Sequence, residues 1–572
     1  MQKVLTADQM REVDRLTTER YGIPSILLME NAAQSVADVI TQKLGGSVEG
    51  KSVLILCGKG NNGGDGAALA RILAIQGASV DVLVFGKIKE TKGDARINFG
   101  VLCSEDFEFD DVYMSNFGEL REIETKEQWV QFYMSTGQEC DVFVDAIFGT
   151  GLTRPIDIWL YNVIHDINFT NEGALPTQRL NVAVDIPTGL NADTGEMLAE
   201  PFRADVTVTF TAPKPGNILP NAAALNGELV VADIGSPMEL INSQASQLYL
   251  TEYEDVEDWI EETKFSDDSY KNKRGHALLI AGSESYSGAA VLAGNAAMRS
   301  GVGLVTLAVP RSVKGEVAPR TLPDVIVRPI AENESGEISE NAFAESVEML
   351  SGANAIAVGC GLSATDKGVE ALIRKIVDER TKPVIIDAGA LWFCNPPDGV
   401  LRRPALQRPA RSKDTDAVDP TLILTPHEGE FMRLLGTEDK EVIKDRVAAV
   451  RDFAIKNNVI LVLKGERVLI GSPDGRVVVN PTGNAGLGKA GNGDTLTGIL
   501  AGFVAQAAKM NVDIFETVVA AVYVAGMAGD VAEKRYGKRV MTASDVRECL
   551  ADVFSELNGG RGRAYSVDHE KW

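Results

Sequence analysis

VLILCGKGNNGGDGAALARILAIQGASVDVLVF, residues 53–85, decides the fold of the first half of the chain. VLILC (53–57) and VDVLVF (80–85) are short apolar runs that read as buried strands. GGDGAALARILAIQGA between them carries a helical pattern, and strand–helix alternation indicates a parallel, doubly wound sheet. VFVD (142–145), VAVD (182–185), VTVTF (206–210) and ELVVADIG (228–235) extend that sheet. In the turn, Gly58, Gly60, Gly63, Gly64 and Gly66 let backbone come close to a ligand, and the helix start offers free N–H groups to phosphate. A tight turn needs glycine, but it has no use for Asn61, Asn62 and Asp65 among the glycines, so ligand binding is the better reading. Asp145 and Asp185 each end a strand, at the carboxyl edge where open α/β sheets bind ligands; capping of the next loop is the plainer alternative.

The second half restarts the same grammar with ALLIAGS (277–283), GLVTLAVP (303–310), AIAVG (355–359), PVIIDAG (383–389), LILTP (422–426) and VILVLKG (459–465). RVLIG and RVVVN flank an SPDG turn and read as a hairpin. The end of the chain is mostly helical. Residues 395–420 are rich in proline and charge without periodicity, which predicts an exposed excursion. Between the halves, residues 236–275 are polar and acidic, and TEYEDVEDWIEETK suggests a surface helix. The boundary falls near 240–250, giving domains 1–240 and 245–560. No residue-level repeat relates them, so two different three-layer α/β domains are fused.

Composition narrows the partners. The 572 residues carry 56 Lys+Arg against 81 Asp+Glu, a net charge of 56 − 81 = −25. Such an acidic balance argues against a nucleic-acid partner that needs a broad basic face. Phosphate must then be held locally, by backbone amides at helix starts. The 55 glycines cluster at turns rather than spreading evenly. Six cysteines without a CxxC spacing form neither a disulfide framework nor a zinc site, and Cys57 and Cys360 read as small core residues. MQKVLTADQMREVDRLTTERYG opens the chain as a polar amphipathic helix rather than a signal peptide. No apolar run approaches the roughly 18 residues that span a bilayer. A soluble cytoplasmic protein with no membrane partner is expected.

GKGNNGGDG, then VDAIFGTGLTRP (144–155), then VDIPTGLNADTG (184–195) resembles the NAD(P)H-hydrate epimerase family, a Rossmann-like YjeF N-terminal domain. ILLMENAA (26–33) fits the same family, so the resemblance covers nearly all of residues 1–240. It implies a potassium ion held by Asn62, Asp145 and Thr188, and hard oxygen donors suit that cation. It also implies a substrate site lined by Asn61, Asn62, Gly63, Gly64, Asp65, Gly149, Thr150, Gly151, Leu152, Thr153, Arg154, Pro155 and Asp185. Asp145 is the candidate for proton transfer as C6 of the hydrated nicotinamide inverts. This chain has DIPTG where many relatives have DIPSG, which keeps the hydroxyl.

NAGLGKAGNGDTLTGIL (484–500) is a glycine-rich loop that runs into an apolar helix, without the GxxxxGK[ST] order of a P-loop. AGNGDTLTG resembles the GxGD anion-hole turn of ribokinase-like proteins, where amides receive phosphate charge and the Asp acts as a base; a plain helix cap is the alternative for Asp494. With KRGHALLIAGSESYSGAAVLAGNAAMRSGVGLVTLAVP (273–310), VGCGLS (358–363), VIIDAGAL (384–391), LTPHEGEF (424–431) and LVLKG (461–465), the half resembles the ADP- or ATP-dependent NAD(P)H-hydrate dehydratases, which have a ribokinase-like fold. The resemblance implies that Ala289, Gly361 and His427 contact the hydrated nucleotide. It places Lys464, Gly465, Glu466, Arg467, Val468 and Gly493 on the adenine nucleotide, and Asp494 on the C6 hydroxyl. His427 could instead cap a loop. Glu428 stands where proline is common, and Asn492 replaces the frequent Thr of GTGD.

The two resemblances together imply a bifunctional repair enzyme. It would interconvert the R and S epimers of hydrated NADH and NADPH (NADHX and NADPHX), then dehydrate the S form using ADP or ATP with Mg²⁺. Both families often assemble, so a homo-oligomer is expected. Two other readings compete with this one. A ribokinase-type small-molecule kinase with a regulatory first domain would share the GxGD turn. A non-catalytic nucleotide-binding module would share the YjeF-type fold but has no need of Asp145, Asp185 and the full NNGGD.

Overall fold

The computed structural model describes residues 1–103, 117–135, 140–172, 179–394, 399–402 and 421–559. They form two compact units, one of Gln2–Leu250 and one of Thr251–Trp572 with Met1. Most of the excursion expected at 395–420 lies outside the described residues.

The strands of the first unit are β1 (Gln2–Lys3), β2 (Ser52–Cys57), β3 (Ser79–Phe85), β4 (Phe117–Ile123), β5 (Val142–Ala146), β6 (Leu180–Val184), β7 (Val206–Phe210), β8 (Glu228–Ala232) and β9 (Leu248–Leu250). β1 and β9 pair antiparallel. The others form a parallel sheet in the order β4-β3-β2-β5-β6-β7-β8. Both faces are covered, because alternate residues of one strand feed different cores. Ile55 and Cys57 pack with the helices Ser25–Lys43 and Asn61–Ile75, while Leu54 and Leu56 join Trp129, Phe143 and Ile164. Strand order reverses between β2 and β5, and the crevice beyond their carboxyl ends is where such sheets take ligands. No apolar run marks the edge strand β4, FGELREI, whose only buried residue is Ile123, so sequence pattern alone misses it.

The second unit contains β10 (His276–Ile280), β11 (Leu304–Pro310), β12 (Ile326–Ile330), β13 (Ala355–Val358), β14 (Val384–Ile386), β15 (Leu422–Leu424), β16 (Ile460–Leu463), β17 (Leu469–Gly471) and β18 (Val477–Val479). Their order is β18-β17-β16-β15-β14-β13-β10-β11-β12, parallel from β16 to β12. β16, β17 and β18 are antiparallel, and β17 and β18 form the expected hairpin. Here the order reverses between β10 and β13, which again places a crevice at the carboxyl ends.

The acidic stretch after the boundary does form a helix, Tyr253–Glu262, but it buries Val256 and Trp259 and is not purely a surface element. Among the described residues one helix, Ile514–Tyr536, is long and apolar enough to cross a bilayer by length and composition, although Glu516 and Asp530 interrupt its apolar run. Its apolar window is 72% buried inside the protein, so core packing accounts for its composition.

The helices Ser287–Arg299 and Asn492–Met510 cross closely against β10 and β13, and Gly498 permits the approach. A β-carbon there would lie 2.2 Å from the Ala293 carbonyl oxygen. Overpacking of this kind costs about 1–3 kcal/mol or more. Gly498→Ala is therefore expected to lower the melting temperature of the second unit by several degrees, whereas Gly315→Ala, with open space around it, should leave it within error. Differential scanning calorimetry of both variants checks the contrast.

Candidate functional site

In the first unit the helix Asn61–Ile75 begins directly after β2, and no side chain caps its first turn. Its first N–H groups stay open, as an anion site requires. The glycines around its start do a different job from the one the sequence suggests. A β-carbon at Gly58 would meet the Ile147 carbonyl oxygen at 2.0 Å, one at Gly63 the Gly58 carbonyl oxygen at 1.8 Å, and one at Gly66 the Cys57 Sγ at 2.7 Å. These three glycines let the loop pack on protein. Gly60 alone of that run faces open space.

Asp145, at the end of β5, is fully buried. Its Oδ2 accepts from Thr188 N (2.7 Å), and its Oδ1 accepts from Thr188 Oγ1 (2.7 Å) and Ile147 N (3.2 Å). Burial pushes its pKa up to about 6 against the pull of these hydrogen bonds. Thr188 Oγ1 also accepts from Phe148 N at 3.1 Å, which ties the GTGLTRP loop to the DIPTG turn. With no exposure and three donors already on it, Asp145 is poorly placed to touch a reacting carbon directly.

Asp185 is the carboxylate that meets the GTGLTRP loop. It follows β6 with φ +67°, in the left-handed region. A β-carbon at Gly149 would lie 2.9 Å from Asp185 Oδ2 and 3.0 Å from Asn62 Oδ1, so these three residues converge and only glycine fits between them. Lys214, buried and not anticipated from sequence, donates to Asp185 Oδ1 (2.7 Å), Thr209 Oγ1 (2.9 Å) and the Phe210 carbonyl (3.0 Å). Its signal was a lone lysine in the apolar TAPKPG run. Asp65 sits one helical turn beyond Asn62, and burial, with Asp185 and Asp14 adding repulsion, pushes its pKa well above the usual range. Gly151, Thr153, Arg154 and Pro155 are exposed, Thr150 is half-buried, and Leu152 turns inward.

The second site gathers around Asp387, which follows β14. Sequence reading passed it over, although VIID ends as VFVD and VAVD do. Asp387 Oδ1 accepts from Lys464 Nζ (2.8 Å) and Thr425 Oγ1 (2.7 Å), and Oδ2 accepts from Thr497 Oγ1 (2.7 Å). Burial opposes its ionisation, yet Lys464 and the two hydroxyls hold its pKa below the ordinary value. The same partnership raises that of Lys464, through Asp387 and then Glu430, against desolvation. Ala388, next in the chain, holds φ +49°, a strained angle for a residue with a β-carbon.

Asp494 lies in the first turn of the helix Asn492–Met510, which starts at Gly491 (φ +92°) with no side-chain cap. Burial and then the Asp387 charge push its pKa up to about 6, while Cys360 and Lys464 pull the other way. A β-carbon at Gly493 would lie 3.6 Å from Lys464 Nζ, which places the open helix start beside that ammonium. Asn492 Nδ2 donates to the Leu487 carbonyl at 3.1 Å, so the residue that replaces Thr in GTGD ties down its own loop. Ala289 and Gly361 pack together, with 2.9 Å from the Gly361 β-carbon position to Ala289 Cβ.

His427 is a cap. Its Nδ1 accepts from Gly429 N (3.0 Å) and Glu430 N (3.3 Å) at the start of the helix Glu428–Leu435. Its Nε2 lies 3.5 Å from Glu430 Oε1, and a short β-bridge sets His427 beside Lys464. Gly465 and Glu466 are exposed beyond Lys464, and Arg467 and Val468 lead into the hairpin, where Arg467 donates to the Pro481 carbonyl.

Two family models match separate stretches of the chain. The family described as "NAD(P)H-hydrate dehydratase" matches residues 277–551, and the family described as "YjeF-related protein N-terminus" matches residues 25–216. A bifunctional NAD(P)H-hydrate repair enzyme of Moorella thermoacetica is 36% identical over 554 residues, which is 97% of each chain. That of Dictyoglomus turgidum is 32% identical over 560 residues, 97% of this chain and 99% of its own. Among solved structures, the Bacillus subtilis ADP/ATP-dependent NAD(P)H-hydrate dehydratase is 30% identical, covering 54% of this chain and 98% of its own at a TM-score of 0.44.

The Asp185–Lys214 pair generates a stability prediction. Removing one member of a buried pair leaves a buried charge uncompensated, at a cost of about 3–5 kcal/mol. Lys214→Met should destabilise the first unit by that order, and adding Asp185→Asn should recover part of the loss. Urea melts of the single and double variants measure the difference.

Proposed function

The chain belongs to the bifunctional NAD(P)H-hydrate repair enzymes, and from that premise we propose how its residues divide the work. Residues 1–240 epimerise hydrated NADH and NADPH at C6, and residues 245–560 dehydrate the S epimer at the expense of ADP or ATP. One observation carries this division. Each unit sets a buried carboxylate beside an open helix start, at the point where its own strand order reverses.

In the dehydratase the C6 hydroxyl is a poor leaving group until it is phosphorylated. Asp494 takes the hydroxyl proton as that oxygen attacks the terminal phosphorus of the nucleotide. The open amides at Gly493 and Asp494, with Lys464 beside them, receive the charge of the transferring phosphoryl group. Phosphate then leaves C6, a proton leaves C5, and the double bond returns. Mg²⁺ is expected to arrive with the nucleotide. Among the described residues no group of three His, Cys, Asp or Glu side chains forms a cage for it, which suits an ion held chiefly by phosphates and water.

In the epimerase we assign proton transfer at the C6 hydroxyl to Asp185 rather than Asp145, because Asp185 faces Gly149 and Asn62 whereas Asp145 is enclosed. Asp145 suits the potassium site. Its Oδ2 accepts a single hydrogen bond, leaving a lone pair free, and no cation of the chain is among the groups that act on its charge. Asn62 Oδ1 and Thr188 Oγ1 would complete a set of hard oxygens, and the ion would balance the buried charge.

A time course on a mixture of both epimers with ADP, and in parallel with ATP, tests the assignment in the full-length protein. Asp494→Asn should abolish recovery of reduced-nicotinamide absorbance by at least about 10²-fold while epimers still interconvert. Asp185→Asn should leave prompt consumption of the S form and slow the R form to its spontaneous rate. Asp145→Asn should lose epimerisation in a manner partly restored by high potassium. An Asp145→Asn loss that potassium leaves unchanged would contradict the cation role.

A further inference from the structure

Arg446 opens the helix Arg446–Asn457, behind the Asp445 cap. Its guanidinium lies against the turn that follows β16. A β-carbon at Gly465 would sit 2.8 Å from Arg446 Nη2 and 3.6 Å from both Cζ and Nη1, so the turn packs directly on the cation. Nε and Nη2 are shielded from solvent and have no hydrogen-bond partner among the described residues. Glu428, the one carboxylate within 4 Å among those residues, stays 3.9 Å from Nη1 and is shared with Lys440 at 3.8 Å. The side chain keeps 22% of its surface exposed, so one edge of the cation still reaches solvent.

A guanidinium held in this way is an incomplete site. Charged donors kept dry and unpaired are costly, and their field is little screened by salt or water. Lys464, next to the same glycine, is the contrast, because its Nζ is committed to Asp387 Oδ1 at 2.8 Å, with Glu430 Oε2 at 4.0 Å. Of the two cations at this turn, Arg446 is the one that no carboxylate engages at hydrogen-bonding distance. We propose that Arg446 binds a phosphate group of the adenine nucleotide at the Gly465 turn. The inference rests on the reading of residues 464–468 as the nucleotide-contacting segment. The planar fork of a guanidinium matches phosphate oxygens, and the helix start from which it projects adds positive partial charge. The nucleotide brings negative charge to a turn where Asp387, Glu428 and Glu430 already stand, in a chain of net charge −25. Its attraction must therefore come from a cation that these carboxylates leave unpaired.

The test is calorimetric titration of full-length wild type, Arg446→Lys and Arg446→Met with ADP and ATP, beside hydrogen exchange of wild type with and without ADP. Exchange should show ADP protecting residues 464–468. Arg446→Met should bind both nucleotides about 10- to 100-fold more weakly, as loss of a charge-assisted hydrogen bond dictates. Arg446→Lys keeps the charge without the fork and should fall between the two. Without nucleotide, Arg446→Met should melt at or above the wild-type temperature, because it removes a buried charge that has no partner. An Arg446→Met protein that binds ADP as wild type does, while 464–468 are protected, would overturn the proposal. So would a nucleotide-free Arg446→Met that melts well below wild type with Arg446→Lys binding no better than it, which would make Arg446 a folding residue. Absence of protection at 464–468 in wild type would instead overturn the reading of that segment, which separates the two failures.

Discussion

The buried pair of Asp387 and Lys464 is the interaction on which the second site depends. Asp387 ends β14, Lys464 ends β16, and Thr425 ends the strand between them, so one carboxylate collects donors from the two neighbouring strand ends. Buried ion pairs seldom add net stability, because desolvation offsets the attraction. What this one supplies is geometry. It holds an ammonium beside Gly493 and sets the negative charge that keeps Asp494 basic. The strained Ala388 angle and the Gly359 turn, where a β-carbon would meet the Asp387 carbonyl oxygen at 1.8 Å, are local consequences of fixing that carboxylate. The first unit has a similar pair in Asp185 and Lys214, where Asp185 is itself the left-handed residue at a strand end.

Much of this was legible in the sequence because parallel strands buried on both faces are continuous apolar runs, and their carboxyl ends are marked by Asp, Gly or Thr. VLILC, VFVD, VIID and LILT each show the pattern. Edge strands lack it, since one side of FGELREI faces water and burial does not dictate its residues. The glycines of GKGNNGGDG were legible as a special turn, but not as a packing device. Whether a missing β-carbon makes room for ligand or for protein depends on what lies opposite, and Ile147 and Gly58 occupy that space.

The site residues divide in the same way. Asp494 and Lys464 stand in recognisable motifs, and their surroundings agree with chemistry at a phosphate. Asp387 and Lys214 carry no local signature, because each acts through partners distant in sequence. Asp387 and Thr497 are 110 residues apart, and Lys214 reaches back 29 to Asp185. His427 stands in a recognisable motif, yet both ring nitrogens face the helix it caps, Nδ1 accepting from Gly429 N and Glu430 N and Nε2 lying beside Glu430 Oε1.

Two sites on one chain suit a substrate mixture of which the second activity accepts one epimer. We propose that the two activities reside in separate units and need no shared residue. The most direct test mixes purified Asp185→Asn and Asp494→Asn proteins, each lacking one activity, and follows both epimers with ADP. With separate units, the mixture should repair R and S forms completely, at rates set by the intact unit of each partner. A mixture that leaves the R form no better consumed than Asp185→Asn alone would contradict it.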